Sequence, residues 1–248
     1  MCGRFTLTVS EEEWTSFFYV QTVRLKFEPR YNIAPGQDIA AIIADGSGAR
    51  RAGKLRWGLV PPWADSPKIG NRMINARAET IAEKRSFREP LLRRRCLIPA
   101  DSFYEWRQTG RGKQPLRIML RSRPLFAMAG IYETWTSPDG QTIHTCSIIT
   151  TEANEWMSAI HDRMPVILPR EAESHWLDRS IRSLSDLLPL LKPYPDADMQ
   201  AYPVHPMVGH VANDSPACIE PYAEATATRS ASQDERSWPK VMKEESDA

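Results

Sequence analysis

The second residue of the chain, Cys2, offers the most distinctive chemistry, because it becomes the first residue once Met1 is removed. Methionine is generally removed when a small residue such as cysteine follows it. The mature chain would then carry an α-amine and a thiol on adjacent carbon atoms, with ordinary pKa values of about 8 and about 8.5. Such an aminothiol condenses with an aldehyde to an imine, which the thiolate closes into a thiazolidine ring. The alternative is that Cys2 is an incidental residue of the chain terminus.

Three further side chains suited to hydrogen bonding or proton transfer lie in short polar strings. Asn75 precedes a predicted helix start, where its amide would cap the helix or orient a neighbouring nucleophile. Glu105 lies between aromatic residues on a predicted strand, where apolar surroundings would raise its pKa and suit it to general acid–base work. Pairing with an arginine is the alternative for Glu105. His161 precedes a predicted turn and strand, either as a proton-transfer group or as a capping or core residue.

The net charge of +1 conceals opposite charges in the two halves of the chain. Residues 1–125 contain 23 Lys and Arg against 12 Asp and Glu, whereas the remainder contains 9 against 19. The basic residues cluster within 50–56, 84–95 and 107–123, with aromatic residues interleaved. Cations that contact phosphates and rings that stack on unpaired bases predict a surface for single-stranded nucleic acid. The alternative is that the two halves neutralise each other in the fold.

Composition and cysteine spacing argue against several classes of protein. The 248 residues, 42% of them hydrophobic, suffice for one large domain or two small ones. Apolar segments of about 18 residues and a signal peptide are both missing, so we expect a cytoplasmic protein in a bacterium or a nuclear one in a eukaryote. The widely spaced cysteines argue against disulfides and a structural zinc, and we expect Cys96 and Cys146 to be core residues.

The periodicity of apolar residues predicts one α+β domain of short mixed strands with peripheral helices. A capping box formed by Ser10 and Glu13 predicts a helix over 10–19. The other predicted helices cover 77–84, 89–95, 153–160, 170–177 and 183–191. The predicted strands cover 39–43, 55–60, 103–107, 116–120, 125–131, 145–150 and 200–204. From about residue 225 the sequence is polar, and we expect a disordered tail over 225–248.

Six strings in a fixed order connect these separate features. They are Met-Cys-Gly-Arg-Phe at 1–5, Arg-Tyr-Asn-Ile-Ala-Pro at 30–35, Trp-Gly-Leu-Val-Pro at 57–61, Ile-Asn-Ala-Arg-Ala-Glu-Thr at 74–80, Phe-Tyr-Glu-Trp at 103–106 and Ile-His-Asp-Arg-Met-Pro at 160–165. Together they resemble the SRAP family, the SOS response-associated peptidases, and the resemblance extends from Cys2 to about Tyr222.

This resemblance implies a single SRAP domain over 2–224, with mixed and antiparallel β-sheet, a barrel-like core and peripheral short helices. It implies binding of single-stranded DNA and a covalent crosslink between Cys2 and the aldehyde of an abasic site, which would shield the lesion. Asn75, Glu105 and His161 match the other active-site positions of the family. The resemblance also implies a monomer without cofactor or metal, with autocatalytic removal of Met1 as a peptidase-like activity.

The resemblance also suggests which residues would contact DNA or shape the pocket around it. Four arginines and a threonine are expected at phosphates, a tryptophan at a base, and three further residues at the pocket wall. They are Arg4, Arg77, Arg85, Arg163, Thr150, Trp63, Pro35, Trp57 and Gly58. The predicted helix over 77–84 would place Arg77 and Arg85 two turns apart, a spacing that suits adjacent phosphates. Pro62 departs from the family, since some relatives carry a second aromatic there.

Two other functions fit parts of the sequence. An N-terminal-nucleophile amidohydrolase, such as a glutamine amidotransferase domain, also exposes a cysteine after loss of methionine and uses the α-amine as a base. Its fold would be a four-layer sandwich, and it has no use for the arginine excess. A noncovalent module for single-stranded DNA, in which Cys2 has no chemical role, is the other alternative.

Overall fold

The computed structural model describes residues 2–23, 26–110 and 112–223, and these form a mixed α+β fold. The tail predicted over 225–248 lies outside the described residues. The strands are β1 (Phe5–Leu7), β2 (Thr22–Val23), β3 (Arg30–Ile33), β4 (Asp38–Ala44), β5 (Arg50–Trp57), β6 (Asn75–Arg77), β7 (Arg95–Ala100), β8 (Ser102–Thr109), β9 (Gly112–Leu120), β10 (Phe126–Thr136), β11 (Thr142–Glu152), β12 (Arg163–Pro165), β13 (Ile167–Leu168) and β14 (Met199–Pro203). The α-helices are α1 (Glu11–Phe17), α2 (Arg85–Arg93), α3 (Glu155–Ser158), α4 (Ala172–Leu177) and α5 (Leu184–Leu187). Short 3₁₀ helices occupy Pro67–Arg72, Leu188–Leu190, Asp196–Asp198, Pro206–Gly209 and Pro216–Ile219.

Five strands close into a barrel. β4 pairs with β5 and β7, β7 pairs with β10, and β10 pairs with β11, all antiparallel. The ring closes because β5 returns to β11 in parallel, with Trp57 opposite Cys146. β6 and β12 add to β11, in parallel and antiparallel respectively, so the residues on them are held at the same part of the barrel. The mixed fold with a barrel-like core is therefore confirmed.

The N-terminal strand β1 is an interior strand of a second, antiparallel sheet of order β14-β9-β8-β1-β3. Phe5 lies opposite Phe103 on β8 and opposite Ile33 on β3. An interior strand with neighbours on both sides has its backbone groups satisfied by the ladder. The segment that carries Cys2 is thus built into the molecule.

Helix α1 begins where the sequence predicted it. The Ser10 side chain accepts a hydrogen bond from the backbone of Glu13, and the Glu13 carboxylate accepts one from the backbone N–H of Ser10. The helix ends at Phe17, and the N–H of Val20 donates to the carbonyl of Thr15 at 2.9 Å. Tyr19 in this turn has φ of +52°, a conformation that usually favours glycine at a helix C-terminus.

The predicted helix over 77–84 is wrong, because this segment continues from strand β6 into a series of turns. Asn75 accordingly lies in a strand and caps no helix. The helix predicted over 89–95 instead begins at Arg85, and Arg95 already belongs to β7. The parallel pairing of β6 with β11 outweighs the local helix preference, which is a nonlocal effect that residue periodicity cannot reveal. The two-turn spacing proposed for Arg77 and Arg85 is therefore wrong as well.

Most of the remaining predicted elements are confirmed, with shifted ends. The strands over 39–43, 103–107, 116–120, 125–131, 145–150 and 200–204 all exist, and most are longer than predicted. The strand predicted over 55–60 is β5, which begins at Arg50 and stops at Trp57. The helices over 153–160, 170–177 and 183–191 are each shorter than predicted. Within the described residues no helix is both long and apolar enough to cross a membrane.

The barrel interior and the space beneath the second sheet form one apolar core. Its largest fully buried side chains include Trp14, Trp57 and Trp176. Cys96 and Cys146 are buried and free in this core, as predicted, and burial raises the pKa of both thiols.

Part of the opposite charge of the two halves is neutralised within the fold. The ion pairs that join an arginine of the first half to a carboxylate of the second include Arg30–Asp214, Arg50–Glu173 and Arg94–Glu133. Arg95, from the predicted basic cluster, is also buried, and its guanidinium donates to carbonyl oxygens around the end of α4. These guanidinium groups are engaged by partners within the protein, whereas Arg77 and Arg85 are exposed.

Candidate active site

The N-terminal segment brings Cys2 next to Glu105. β1 runs antiparallel to β8, and the N–H of Tyr104 donates to the carbonyl of Arg4 at 2.9 Å, so the ladder continues past Phe5 towards Glu105. Cys2 is fully buried. Burial raises the pKa of its thiol, and the charge of Glu105 raises it further, while the amino-terminal charge and the N–H of Arg4 lower it.

Glu105 is a carboxyl group with a perturbed pKa. It lies on β8 with 3% of its surface exposed, opposite Leu116 of β9 and on the same side of the strand as Phe103. Burial raises its pKa to about 7, against the lowering effects of the amino-terminal charge and of a backbone hydrogen bond. A group that titrates near neutral pH can accept a proton and release it again during one reaction cycle.

His161 lies in the turn between α3 and β12. Its Nδ1 is 3.0 Å from the N–H of Arg163 and 2.8 Å from a carboxylate oxygen of Asp162. Nδ1 can accept the N–H only when it carries no proton, and Asp162 is largely exposed, so we favour the neutral ring with its proton on Nε2. Burial lowers the pKa of His161, and the amino-terminal charge lowers it further, which agrees with this neutral form.

The amino-terminal charge links these three groups. It lowers the pKa of the Cys2 thiol, of the Glu105 carboxyl and of the His161 ring. Coulombic effects of this kind fall off with distance, so one charge that acts on all three side chains indicates that they lie in one region of the molecule. The structure therefore brings together a thiol, a carboxyl group and an imidazole that lie far apart in the sequence.

Asn75 holds a buried acceptor at the start of β6. Its Nδ2 is 3.5 Å from the carbonyl of Ile148, at the outer limit of a hydrogen bond, and its Oδ1 has no partner among the described residues although it is buried. A flipped amide would place Asn75 Oδ1 against the Ile148 carbonyl oxygen, and two acceptors would then face each other. An unsatisfied buried acceptor costs about 1–3 kcal/mol, so it is a place where a ligand's donor would be favourable.

The loop before Asn75 is held by two contacts. The indole N–H of Trp57 donates to the carbonyl of Ile74 at 2.8 Å. Gly58, with φ of +136°, lies against Gly70 so closely that a Cβ atom on it would be 2.7 Å from the Gly70 carbonyl oxygen. Trp57 is fully buried. Trp57 and Gly58, predicted at the pocket wall, therefore lie beneath the Asn75 loop, and Trp57 offers no surface to DNA.

Three of the predicted DNA-contacting side chains lie at the surface. Arg77 on β6 and Arg85 at the start of α2 are exposed, and Trp63 is 45% exposed. The Arg85 guanidinium lies over the Trp63 ring, with Cζ 5.1 Å from the ring centroid. A cation and an aromatic face side by side can contact a phosphate and a base of one strand.

Three others have partners inside the protein. Arg4 donates to the Asn32 side chain at 2.9 Å and to the carbonyls of Val208 and Gly209. Arg163 forms a bidentate ion pair with Glu79, at 2.8 and 3.0 Å, and donates to the carbonyl of Thr150. Thr150 itself is 1% exposed. Contacts of these residues with DNA stay a prediction.

Pro35 lies in the turn after β3, where Gly36 has φ of +85° and its N–H donates to the carbonyl of Trp57 at 2.7 Å. This turn therefore contacts the end of β5 through Gly36, and a role of Pro35 in shaping the pocket stays a prediction. Sequence reasoning missed Glu79, although it lies in the string at 74–80, and it missed Lys113, whose charge lowers the pKa of His161. Lys113 belongs to none of the six strings, and its place in the basic cluster at 107–123 was its only signal. No cluster of metal-binding side chains occurs among the described residues.

Several known proteins are similar to this chain in sequence. A family model described as "SOS response associated peptidase (SRAP)" matches residues 1–211. The chain is 52% identical over 223 residues to "Abasic site processing protein YoqW" of Bacillus subtilis (strain 168), an alignment that covers 89% of this chain and 99% of the relative. It is 34% identical over 227 residues to "Abasic site processing protein HMCES" of Gallus gallus, covering 79% and 67%.

A solved structure shares the fold. The crystal structure of a protein from Bacteroides thetaiotaomicron superposes with a TM-score of 0.80 at 30% sequence identity, and the match covers 90% of this chain and all of that one. The barrel and the second sheet are therefore an arrangement that a distant relative also adopts.

Proposed function

Because this chain belongs to the SOS response-associated peptidase family, we propose that it binds single-stranded DNA and joins Cys2 covalently to the ring-opened sugar of an abasic site. Relatives that carry the name abasic site processing protein support the DNA lesion as substrate. The observation that carries the proposal is the placement of Cys2 beside a carboxyl group whose pKa is about 7. An aminothiol with its own base suits an aldehyde, and an opened abasic sugar is an aldehyde.

The reaction has two bond-forming steps. Glu105 takes a proton from the α-ammonium group of the mature chain, and the free amine adds to the aldehyde carbon. Loss of water from this adduct gives an imine. The Cys2 sulfur then adds to the imine carbon, the thiol proton ends on the nitrogen, and a thiazolidine ring results. One molecule of water leaves overall, and no electron acceptor is needed.

The thiol determines the outcome of the reaction. An imine at an abasic site favours β-elimination, which cuts the strand and is the chemistry of a lyase. Closure of the thiazolidine removes the imine before elimination occurs. The same lesion is therefore covered by protein with the strand intact.

His161 and Asn75 assist in different ways. The neutral ring of His161 presents its Nε2–H as a donor to the sugar oxygen as the sugar opens. The buried Oδ1 of Asn75 accepts a hydrogen bond from the N-terminal amine or from a sugar hydroxyl. His161 thus offers a hydrogen-bond donor to the opening sugar, and Asn75 offers a hydrogen-bond acceptor to the amine or to a hydroxyl.

The DNA strand is held next to this site by charge and stacking. Arg77 lies two residues after Asn75 on β6, so a phosphate bound to it is adjacent to the reacting sugar. Arg85 and Trp63 offer a second cation and a ring face. Pro62 adds no second aromatic, so stacking rests on Trp63. A strand with unpaired bases fits such a surface better than a duplex.

We propose a monomer that acts where the DNA is, in the bacterial cytoplasm or the eukaryotic nucleus.

Removal of Met1 precedes the reaction. It consumes one water to cleave the peptide bond before Cys2, and it releases the amine that the crosslink needs. We propose that Glu105 and His161, whose pKa values both respond to the amino-terminal charge, assist this hydrolysis as a peptidase-like activity.

The alternatives fare differently. A closed barrel with a second antiparallel sheet is not the four-layer sandwich expected of an N-terminal-nucleophile amidohydrolase. A noncovalent DNA-binding module would have the same fold, so only chemistry separates it from the proposed function.

The test is a denaturing gel of the protein incubated with single-stranded DNA that carries one abasic site. We expect a heat-stable band of protein plus DNA, and none with DNA whose abasic site has been reduced to an alcohol. Wild-type protein that binds the strand but leaves no heat-stable band would show that the noncovalent alternative is right. Glutaminase activity in the same preparation would support the amidohydrolase.

A further inference from the structure

Asp101 lies four residues before Glu105, yet the proposed chemistry does not use it. Its carboxyl group is 7% exposed and accepts hydrogen bonds from the N-terminal segment on both oxygens. Oδ1 accepts from the Thr6 hydroxyl, and Oδ2 accepts from the Thr8 hydroxyl and from the Thr8 N–H at 2.6 Å. The N–H of Asp101 also donates to the Thr6 carbonyl at 3.1 Å. Asp101 is therefore hydrogen-bonded both to Thr6 within β1 and to Thr8, the residue directly after β1.

A directed chain of hydrogen bonds supports this carboxylate. Arg117 Nε donates to Ser102 Oγ at 2.8 Å, since a guanidinium can only donate. The Ser102 hydroxyl is then the donor to Thr6 Oγ1, and the Thr6 hydroxyl is the donor to Asp101. Arg117 Nη2, 3.5 Å from Asp101 Oδ1, balances its charge, while Nη1 donates to the Tyr202 hydroxyl at 2.8 Å. Bonds in such a chain strengthen one another.

Stability alone does not call for this arrangement. Replacing a buried ion pair by apolar residues is often neutral or stabilising. A polar network instead favours one strand register over the others. The register of β1 is weakly determined without such a network, because β1 has only three residues and its pairing with β3 is irregular between Phe5 and Leu7. A slip of one residue would move Cys2 by about 3.3 Å.

We infer that Asp101 and Thr6 are positioning residues for the reaction of Cys2, because they fix the register of the strand that carries it. The inference rests on the proposed function. Imine formation needs only the amine at the aldehyde, whereas ring closure needs the thiol in place at the same moment. A loosened strand should therefore slow ring closure more than imine formation.

The test compares Thr6→Val, which removes the hydroxyl but keeps the shape, with Thr6→Ser, which keeps the hydroxyl. Thr136→Val is the matched control, since that hydroxyl pairs with the Thr142 hydroxyl, at 3.1 Å on an exposed part of β10. At saturating abasic DNA and well below the melting temperature, we expect Thr6→Val to form the heat-stable adduct about 10- to 100-fold more slowly. A larger fraction of its adduct should be a borohydride-trappable imine. Thr6→Ser and Thr136→Val should match the wild type, and affinity for intact single strands should be unchanged in all three.

The outcomes separate this inference from the function on which it rests. If Thr6→Val does not fold, Thr8→Val tests the same carboxylate from its other oxygen, with the same expected result. A folded Thr6→Val or Thr8→Val that forms adduct and imine as the wild type does would show that the Asp101 network serves the fold alone. Wild-type protein that forms no adduct would overturn the proposed function, and the positioning role with it.

Discussion

Gly58 and Gly70 meet backbone to backbone, and a Cβ atom added to Gly70 would lie 2.6 Å from the Gly58 carbonyl oxygen. Gly58 begins the segment between β5 and β6, Gly70 lies within it, and the segment ends at Ile74, directly before Asn75. Any shift that separates the two glycines therefore moves the loop that delivers the Asn75 amide to the site. The close approach is a requirement of the site as much as of the fold.

Gly70→Ala should destabilise the protein and slow adduct formation. The backbone must move to admit the methyl group, at a cost of about 1–3 kcal/mol as for other overpacked sites. Gly53→Ala is the control, because a Cβ atom at Gly53 meets nothing within 4 Å. Thermal melts and adduct time courses of both variants check the prediction. A Gly70→Ala protein as stable and as fast as Gly53→Ala would mean that the contact is not needed.

Glu105→Gln should stabilise the protein at pH 8 and leave its stability nearly unchanged at pH 4. The pKa of Glu105 is raised from its ordinary 4.5 to about 7, so the folded state disfavours the charged form. The stability present below pH 4.5 is lost as the pH rises through about 7, and Gln avoids that loss. One pKa unit is about 1.4 kcal/mol, so the gain is at most about 3.5 kcal/mol. Urea titrations of both proteins at the two pH values provide the comparison, and a gain that is equal at pH 4 and pH 8 would contradict it.

Glu105 and His161 should affect the pH dependence of the reaction differently. The rate of the wild type should rise with pH through about 7 as Glu105 loses its proton. Burial lowers the pKa of the His161 ring below its ordinary 6.5, so the titration of this ring lies below the midpoint of that rise. His161→Ala should therefore lower the rate by about 10²–10⁴-fold without moving the rise, whereas Glu105→Gln should remove it and leave only the titration of the α-amine. Adduct time courses from pH 5 to 9 distinguish the two. If both variants follow the wild type, neither residue takes part in proton transfer.

The sequence predicted that two of the strands near the candidate site exist, but not how long they are. The strands predicted over 103–107 and 145–150 are β8 and β11, and both are longer than predicted. The catalytic roles of Cys2, Glu105 and His161 stay a prediction. Asn75 was predicted at a helix start because the residues after it favour a helix. The parallel pairing of β6 with β11, 73 residues away from Asn75, determines the outcome instead. Local propensity carries no information about such a partner.

The arginines show a second limit of the sequence. Composition gave the first half a positive excess, but could not tell which guanidinium groups pair within the fold. Arg50 is a buried partner of Glu173, and Arg85, of the same residue type, lies exposed over a tryptophan ring. The pairing of Arg50 depends on a residue more than 100 positions away, and the exposure of Arg85 depends on the geometry of the loop that carries Trp63. The pattern of charges along the sequence contains neither kind of information.

Arg77→Ala and Arg85→Ala should each weaken binding to intact single-stranded DNA and reduce the salt dependence. Each phosphate contact that is lost lowers the slope of log K against log salt by about one. Arg93→Ala is the matched control, since Arg93 is a similarly exposed arginine of α2 that pairs with Glu89 at 3.0 Å. Fluorescence anisotropy at several salt concentrations gives the slopes. Equal effects of all three variants would indicate nonspecific attraction by net charge and no defined strand path.

Cys2→Ser should keep the fold and the affinity for single strands but lose the heat-stable adduct. Serine leaves the α-amine in place, so an imine with the abasic aldehyde still forms. Its hydroxyl is a far poorer nucleophile than the thiol, so the ring does not close and the imine is left to β-elimination. We therefore expect a borohydride-trappable adduct, together with strand cleavage that the wild type suppresses. Cys218→Ser is the control, because the Cys218 thiol already donates to the Asn213 carbonyl at 3.4 Å and a hydroxyl can do the same. A heat-stable adduct from Cys2→Ser would assign the covalent bond to another residue.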